Sequence, residues 1–273
     1  MLTDSAVLFD VTKCIGCGSC TVACKMWNDL SFESGNAHGY DVSLDENTWT
    51  TLEYNDTENA SGESVLRFLK HQCMHCLKPT CVSVCFAKAI QVTDSGAVVY
   101  DPKKCVGCRY CMIGCPYDIP KYEWGKVFPS VMKCRLCAEK LEKNQSPSCV
   151  SVCPSGALTF GSRELLLLKA RTIIDSNPQY IKHIYGEHEG GGTRWLYISD
   201  TPFENLGLPA NVPEEDIPSM VHTYSKKKPA VFAGAALAFV GLELYTHRRL
   251  KVKEAEKAKK EAEETVKEDN GDV

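Results

Sequence analysis

The sequence predicts an α+β protein in which short strands and helices frame cysteine-bearing loops, with an apolar helix to follow. Three observations carry that reading. All 16 cysteines fall before residue 154, in four quartets. Apolar runs of strand length, punctuated by turn-forming residues, flank those quartets. A 17-residue apolar run from Pro229 to Tyr245 stands near the C-terminus between lysine- and arginine-rich stretches.

The quartets are Cys14, Cys17, Cys20 and Cys24; Cys73, Cys76, Cys81 and Cys85; Cys105, Cys108, Cys111 and Cys115; and Cys134, Cys137, Cys149 and Cys153. A C-x-x-C-x-x-C loop curls around one centre with three sulfurs inward, and thiolates are the soft ligands of zinc and of iron-sulfur clusters. A structural zinc site uses two C-x-x-C knuckles held apart by a spacer. Three thiols in seven residues, a fourth three residues on and then proline form instead the bacterial ferredoxin run for [4Fe-4S] clusters. "CVGCRYCMIGCP", Cys105 to Pro116, matches that run in full. Quartet one has the spacing with Lys25 in place of proline, and quartet two opens its middle gap and ends at Phe86. Quartet four inserts a loop between Cys137 and Cys149 and regains Pro154. Four [4Fe-4S] clusters are the expected cofactors, with a zinc-binding assembly module as the alternative. Disulfides do not require thiols three residues apart in loop after loop, and no secretory signal is read in Met1 to Asp10. His71 and His75 flank quartet two and are expected to hydrogen-bond near a cluster. Lys13, Lys25, Arg109, Lys133 and Arg135 adjoin ligands, where positive charge favours the extra electron of a reduced cluster.

In chain order, "AVLFDVTK" before Cys14 reads as a strand and "PSGALTF" from Pro154 as its partner. "FAKAIQVTDSGAVVYDPKK", between Cys85 and Cys105, reads as a hairpin about its "TDSG" turn. The unit of strand, cluster loop and short helix thus repeats. "SRELLLLKARTIIDS" has helical spacing, with Ser162 as N-cap and Pro178 beyond its end. Residues 186–222 are rich in glycine and proline and read as an extended arm on the core or on a partner, with "TRWLYIS" as a strand. "EGGGTRW" lacks the GxGxxG order of a nucleotide loop and reads as a turn or a close backbone contact with a partner. Pro229 to Tyr245 makes a helix of about 25 Å, the lower limit for a bilayer core of roughly 30 Å, and Pro229 suits a first helical turn. Gly234, Ala238 and Gly241 share a face of the kind on which membrane helices pack. Arg248, Arg249, Lys251 and Lys253, counted with "KAKK", outnumber the three lysines before the run. The positive-inside rule then places the C-terminus in the cytoplasm and the cysteine-rich domain outside. The tail "KEAEKAKKEAEETVKEDNGDV" reads as a solvated helix. A net charge of -4 argues against nucleic acid as a partner, and no Walker sequence or nucleophile elbow is present.

In two-cluster ferredoxins the fourth cysteine of a run ligates the other cluster. For the contiguous quartets this assigns Cys73, Cys76, Cys81 and Cys115 to one cube and Cys105, Cys108, Cys111 and Cys85 to the next. From Cys14 to about residue 245 the chain resembles the four-cluster ferredoxin-like subunits of membrane-bound respiratory oxidoreductases. "CRYCMIGCPYDIPKY" and "YGEHEGGGTRWLYISDTPFENLGLP" carry a closer likeness to the iron-sulfur subunit of membrane-bound uptake [NiFe] hydrogenases of the hydrogenase-two type. "CIGCGSC" and "WND", Trp27 to Asp29, are similar to the beta subunit of respiratory formate dehydrogenase. The resemblance implies that quartets one and four pair across an insertion. Cys14, Cys17, Cys20 and Cys153 then hold one cluster, and Cys134, Cys137, Cys149 and Cys24 another. It implies two interleaved ferredoxin-like modules in residues 1–161, with quartets two and three, about 65–125, inserted. A helix and partner-facing arm follow at 162–225, a transmembrane anchor at 226–247 and a cytoplasmic tail at 248–273. The implied function is electron transfer from hydrogenase small and large subunits to an integral membrane subunit and the quinone pool. The implied route is export with a signal-bearing partner. A molybdenum or tungsten formate dehydrogenase is the alternative partner, and a soluble diffusible polyferredoxin the alternative of another class.

Overall fold

The computed structural model describes residues 4–32, 43–126 and 129–269, and the chain divides into two compact units, Met1–Met220 and Val221–Val273. In the first unit one local device recurs. β1 (Ser5–Asp10) runs through a single 3-10 turn into quartet one and α1 (Ser19–Trp27), and Asp10 caps the turn by accepting the Thr12 N–H at 3.2 Å. After the hairpin of β2 (Thr50–Glu58) and β3 (Ser64–Gln72) comes quartet two with α2 (Thr80–Ser83), and then β4 (Ile90–Val92) and β5 (Val98–Tyr100). From β5 the device repeats, with Asp101 accepting the Lys103 N–H at 3.0 Å ahead of quartet three and α3 (Tyr110–Ile113). β6 (Lys121–Tyr122) and β7 (Val131–Met132) lead to quartet four, which carries α4 (Ala138–Leu141) and α5 (Ser148–Ser151). β8 (Leu158–Ser162), α6 (Arg163–Ser176), β9 (Trp195–Ile198) and α7 (Ile217–Asp269) complete the chain.

The strand after one quartet pairs with the strand before another. β4 pairs β5 and β6 pairs β7, while β8 returns to pair antiparallel with β1. The expected hairpin at 90–100 and the expected partnership of "AVLFDVTK" with "PSGALTF" are both present. β9 lies parallel to β1 on its other edge, giving the order β8-β1-β9. Strand alternation then sorts side chains to two faces. Ala6, Leu8, Leu196 and Ile198 pack under Leu166, Ala170 and Ile174 of α6. Val7, Phe9, Trp195 and Tyr197 face the other way, into the core that holds the thiols. The β2–β3 hairpin, not expected from the sequence, brings Leu52 and Leu69 to that same core.

Three local expectations are corrected. Ser162 occupies the N-cap position of α6 without a capping bond from its side chain, and the Asp4 carbonyl accepts the Arg163 N–H at 2.9 Å instead. "TRWLYIS" is not a strand of a peripheral arm but a fully buried strand of the main sheet. Pro229 sits inside α7 and not in its first turn, because the helix starts at Ile217. The expected glycine turn is present: Gly190, Gly191 and Gly192 all have positive φ. Residues 1–3 of the segment read for a signal and residues 270–273 of the tail lie outside the described residues.

Gly186 closes this turn against β9 at φ 93°, where an added Cβ would lie 2.2 Å from the Trp195 carbonyl oxygen. Gly186→Val is expected to cost about 3 kcal/mol or more, from left-handed strain and backbone clash together. The check is a lowered Tm of the cluster-bearing protein.

Candidate metal centres

The four quartets share a backbone gesture. Two residues after each first cysteine the chain turns left-handed, at Gly16 (φ 68°), His75 (48°), Gly107 (71°) and Leu136 (53°). The turn aims that residue's amide back at the first sulfur. Gly107 N–H donates to Cys105 Sγ at 3.4 Å, and Leu136 N–H donates to Cys134 Sγ at 3.4 Å. Glycine adopts this turn freely, whereas at His75 and Leu136 it costs about 1–2 kcal/mol, which the surrounding core must offset. The third and fourth cysteines of each quartet are four residues apart, both within α1 in quartet one and with the fourth two residues beyond α2, α3 or α5 in the others. Four residues of helix rise about 6 Å, which separates the two thiols and suits them to two different centres.

Two cavities display this arrangement. One is lined by Cys14, Cys17, Cys20 and Cys153 with Phe9, Leu52 and Lys70. Another is lined by Cys85, Cys105, Cys108 and Cys111 with Ile90, Tyr100 and Val131. Of the other eight thiols, Cys24, Cys73, Cys137 and Cys149 are buried and the remaining four half-buried. Burial pushes Cys76 well above the usual thiol range, and Cys73, Cys115 and Cys81 beside it add to the shift. Burial raises Cys134 likewise, with Cys24 and Cys73 adding. Cys24 is pushed up to about 11 by burial, opposed by the Lys70 ammonium and helped by Cys137. Cys149 is pushed up to about 12 by burial, opposed by Lys70, with Cys137, Cys20 and Cys24 adding. The groups adjoin in series, since Cys149 neighbours Cys20, Cys134 neighbours Cys73, and Cys81 neighbours Cys111.

These surroundings decide what the thiols can do. Nucleophilic or redox-active cysteines sit partly exposed with a depressed pKa. Here burial drives Cys14, Cys111 and Cys115 up to about 11 and Cys81 up to about 12. Such thiols become thiolates only against a cationic centre. Among the described residues no three or more His, Cys, Asp or Glu side chains converge at single-ion spacing. Three thiols of one quartet that meet a thiol of another around one cavity fit the ferredoxin cube better than a zinc site made of two knuckles. Buried donors point the same way. His75 Nε2, Trp195 Nε1 and Ser148 Oγ have no protein partner, and sulfur acceptors of a bound cluster would satisfy them.

His75 is fully buried and accepts the Val98 N–H on Nδ1 at 2.9 Å, which assigns the ring proton to Nε2. Burial and the charges of Lys133 and Arg194 hold its pKa well below the usual range, so the ring stays neutral. His71 does not join it. Its Nδ1 lies 3.1 Å from Glu53 Oε1 on the neighbouring strand. Of the cations expected beside ligands, Lys133 alone is buried, with Nζ 3.8 Å from Cys73 Sγ and donating to the Val98 and Cys134 carbonyls. Lys13 pairs with Asp10 at 3.2 Å, Lys25 donates to the Ser31 and Asn47 carbonyls, Arg109 lies over the Tyr122 and Trp124 rings, and Arg135 pairs with Glu139. Lys70 escaped the sequence reading. It is three residues from Cys73, and its one sequence signal is a lysine in phase with Leu66 and Phe68 along β3.

α7 includes a stretch, Ile217–Lys257, long and apolar enough to cross a membrane. Gly234, Ala238 and Gly241 are exposed along it.

Residues 13–89 and 64–163 each match the model of a 4Fe-4S dicluster domain. The chain is 38% identical to the hydrogenase-2 operon protein HybA of Escherichia coli O157:H7 over 248 residues, 74% of this chain and 72% of that one. It is 37% identical over 250 residues to the iron-sulfur subunit of the nitrate-inducible formate dehydrogenase of Escherichia coli strain K12, covering 88% of this chain and 83% of that one. Against the formate dehydrogenase iron-sulfur subunit of Haemophilus influenzae it is 35% identical over 255 residues, 88% and 78% of the two chains.

Proposed function

The chain belongs to the 4Fe-4S dicluster family of iron-sulfur subunits, and we propose that within it this protein is the electron-transfer subunit of a membrane-bound oxidoreductase whose catalytic partner is a [NiFe] hydrogenase. What supports the reading is a pair of cavities that each bring three cysteines of one quartet to one of another, Cys14, Cys17 and Cys20 with Cys153 and Cys105, Cys108 and Cys111 with Cys85, together with the nearness of Cys73, Cys81 and Cys115 to Cys76. When bound, each [4Fe-4S] cluster accepts and releases one electron, so four in series supply conduction and not a catalytic centre. The chain's own residues hold that conductor. Cys14, Cys17, Cys20 and Cys153 serve one cluster, and Cys134, Cys137, Cys149 and Cys24 the next. Cys73, Cys76, Cys81 and Cys115 serve the third, and Cys105, Cys108, Cys111 and Cys85 the fourth. Phe9, Leu52, Ile90 and Val131 keep water from the thiols at the two cavities.

The return of β8 to β1, outside the β4–β5 and β6–β7 pairs, supports an interleaved architecture. Quartets one and four then form an outer module of residues 1–161 around an inner one at about 65–125. Residues 162–225 carry α6, the buried strand β9 and then the partner-facing arm, a reading supported by the exposure of Glu204, Asn205, Ala210, Asn211, Glu214 and Glu215 between β9 and α7. Residues 226–247 anchor the chain beside an integral membrane subunit through Gly234, Ala238 and Gly241, and 248–273 form the tail. Arg248, Arg249, Lys251 and Lys253 favour a cytoplasmic C-terminus, which puts the clusters on the outer face and makes export depend on a signal-bearing partner. A formate dehydrogenase remains the second reading, because relatives named for the two enzymes stand at 38% and 37% identity.

The test is elemental analysis of the complex captured through this chain from native membranes in mild detergent. Stoichiometric nickel beside roughly sixteen irons from this chain, four per cube, is the expected result. Molybdenum or tungsten without nickel would move the chain to the formate dehydrogenase type, and iron alone on a chain that purifies by itself would favour a diffusible polyferredoxin.

A further inference from the structure

Lys70 is 1% exposed, and none of the described ion pairs includes it. Its Nζ donates to Thr50 Oγ1 and, at 3.1 Å, to Gln72 Oε1, and it stands 5.1 Å from the centre of the Trp195 ring. Gln72 is fixed as an acceptor. Its Nε2 donates to Tyr197 Oη at 2.6 Å, and Tyr197 Oη in turn donates to the Lys70 carbonyl at 3.1 Å, so the amide oxygen is the end left for the ammonium. A carbonyl oxygen and a π face can only receive positive charge, which makes this a seat built for a cation. An ammonium buried without a carboxylate is costly unless other anions surround it. The nearest candidates are the thiols. Lys70 lines the cavity of Cys14, Cys17, Cys20 and Cys153, and Cys149, Cys20, Cys24 and Cys134 all act on its charge.

We propose that Lys70 is the shared counter-charge of the two centres built from quartets one and four, held between them by Thr50, Gln72 and Trp195 so that it favours the reduced form of both. The inference rests on the four-cluster reading above. A cube bound by four thiolates is anionic, and more so when reduced, so a fixed cation at its edge stabilises the reduced state more than the oxidised one. Lys70 serves the outer pair in this way. Lys133, beside Cys73 Sγ, gives the same service to the third centre. Lys70 touches no substrate and acts only through the centres it adjoins, as a positioning residue for charge.

The experiment is a redox titration of the intact complex followed by electron paramagnetic resonance, on wild type and on Lys70→Met, Lys70→Gln, Lys70→Arg and Lys133→Met. Sixteen irons and four cluster signals in the wild type come first; their absence would sink the four-cluster reading itself and not merely the role of Lys70. With Lys70→Met, the reduced forms of the two outer centres are expected to lose at least tenfold in stability, a fall of about 59 mV for a one-electron couple, while the inner two stay within a few-fold of wild type. Lys70→Arg should restore the potentials, and Lys133→Met should move the third centre instead. Lys70→Gln keeps a donor toward Thr50 and Gln72 and carries the test if the methionine variant does not assemble. Four unshifted potentials in a neutral variant would overturn the proposal, as would an equal shift of all four. Loss of the outer clusters in both neutral variants would also overturn it, because Lys70 would then be a structural tie.

Discussion

Cys115→Ser is expected to damage the centre of Cys73, Cys76 and Cys81 and to leave that of Cys105, Cys108 and Cys111 intact, although Cys115 belongs by sequence to the latter run. Local geometry is the reason. Cys111 is buried within α3, and Cys115 follows one turn later past the Gly114 cap, so the two sulfurs address different neighbours. Burial pushes the Cys115 thiol up to about 11, opposed by the Ile119 N–H, with Cys73 adding to the rise. Cys111 answers to Cys105, Cys108 and Cys85 after burial. The variant should lose about four of roughly sixteen irons, or about one if the cube survives with three. The signal it loses should be the one lost in Cys76→Ser. If it matches the signal lost in Cys108→Ser, the cross-ligation is wrong for this pair and has no better standing for quartets one and four.

The thiol spacings made the cluster chemistry legible because C-x-x-C-x-x-C is a local geometric statement. Strand pairing next to each quartet was legible for a similar reason. "YDPKK" and "FDVTK" both end a strand, cap a 3-10 turn with aspartate and deliver a cysteine. What escaped was whatever depends on distant chain. β2 and β3 mix acids, amides and apolar residues without a clean alternation, and β3 is exposed at Ser64 and Leu66 but buried at Leu69, Lys70 and Gln72, because only its C-terminal end meets the thiol core. Lys70 sits at that end. From sequence it is one charge among many, and only the folded chain surrounds it with Thr50, Gln72, Trp195 and thiols of two quartets. β9 is the same lesson for a strand. "TRWLYIS" is visibly strand-like, but its parallel place beside β1, 188 positions away by the Val7–Trp195 register, has no local signature.

Deleting Pro229 to Tyr245 is expected to move the chain from the membrane fraction to the soluble fraction while its cluster signals persist. All 16 cysteines lie within the first compact unit, Met1–Met220, so the deletion leaves the ligand framework intact. The deleted stretch presents Val231, Phe232, Leu237, Phe239, Val240, Leu242 and Leu244, each more than half exposed. At about 1.5–3 kcal/mol per side chain taken fully out of water, those seven amount to something on the order of 10 kcal/mol. A soluble monomer rarely leaves so continuous an apolar surface uncovered. The stretch by itself is marginal in length, and Glu243 weakens it. Continuation of the helix at both ends changes that balance, because Lys226 and Lys228 on one side and Arg248 and Arg249 on the other are carried on ordered helix and can snorkel toward the interfaces. Glu243 then lies two residues from the end of the apolar run, where water and headgroups are near. Retention of the deleted chain in washed membranes, with clusters intact, would mean that other subunits hold it there, and α7 would lose its role as the anchor.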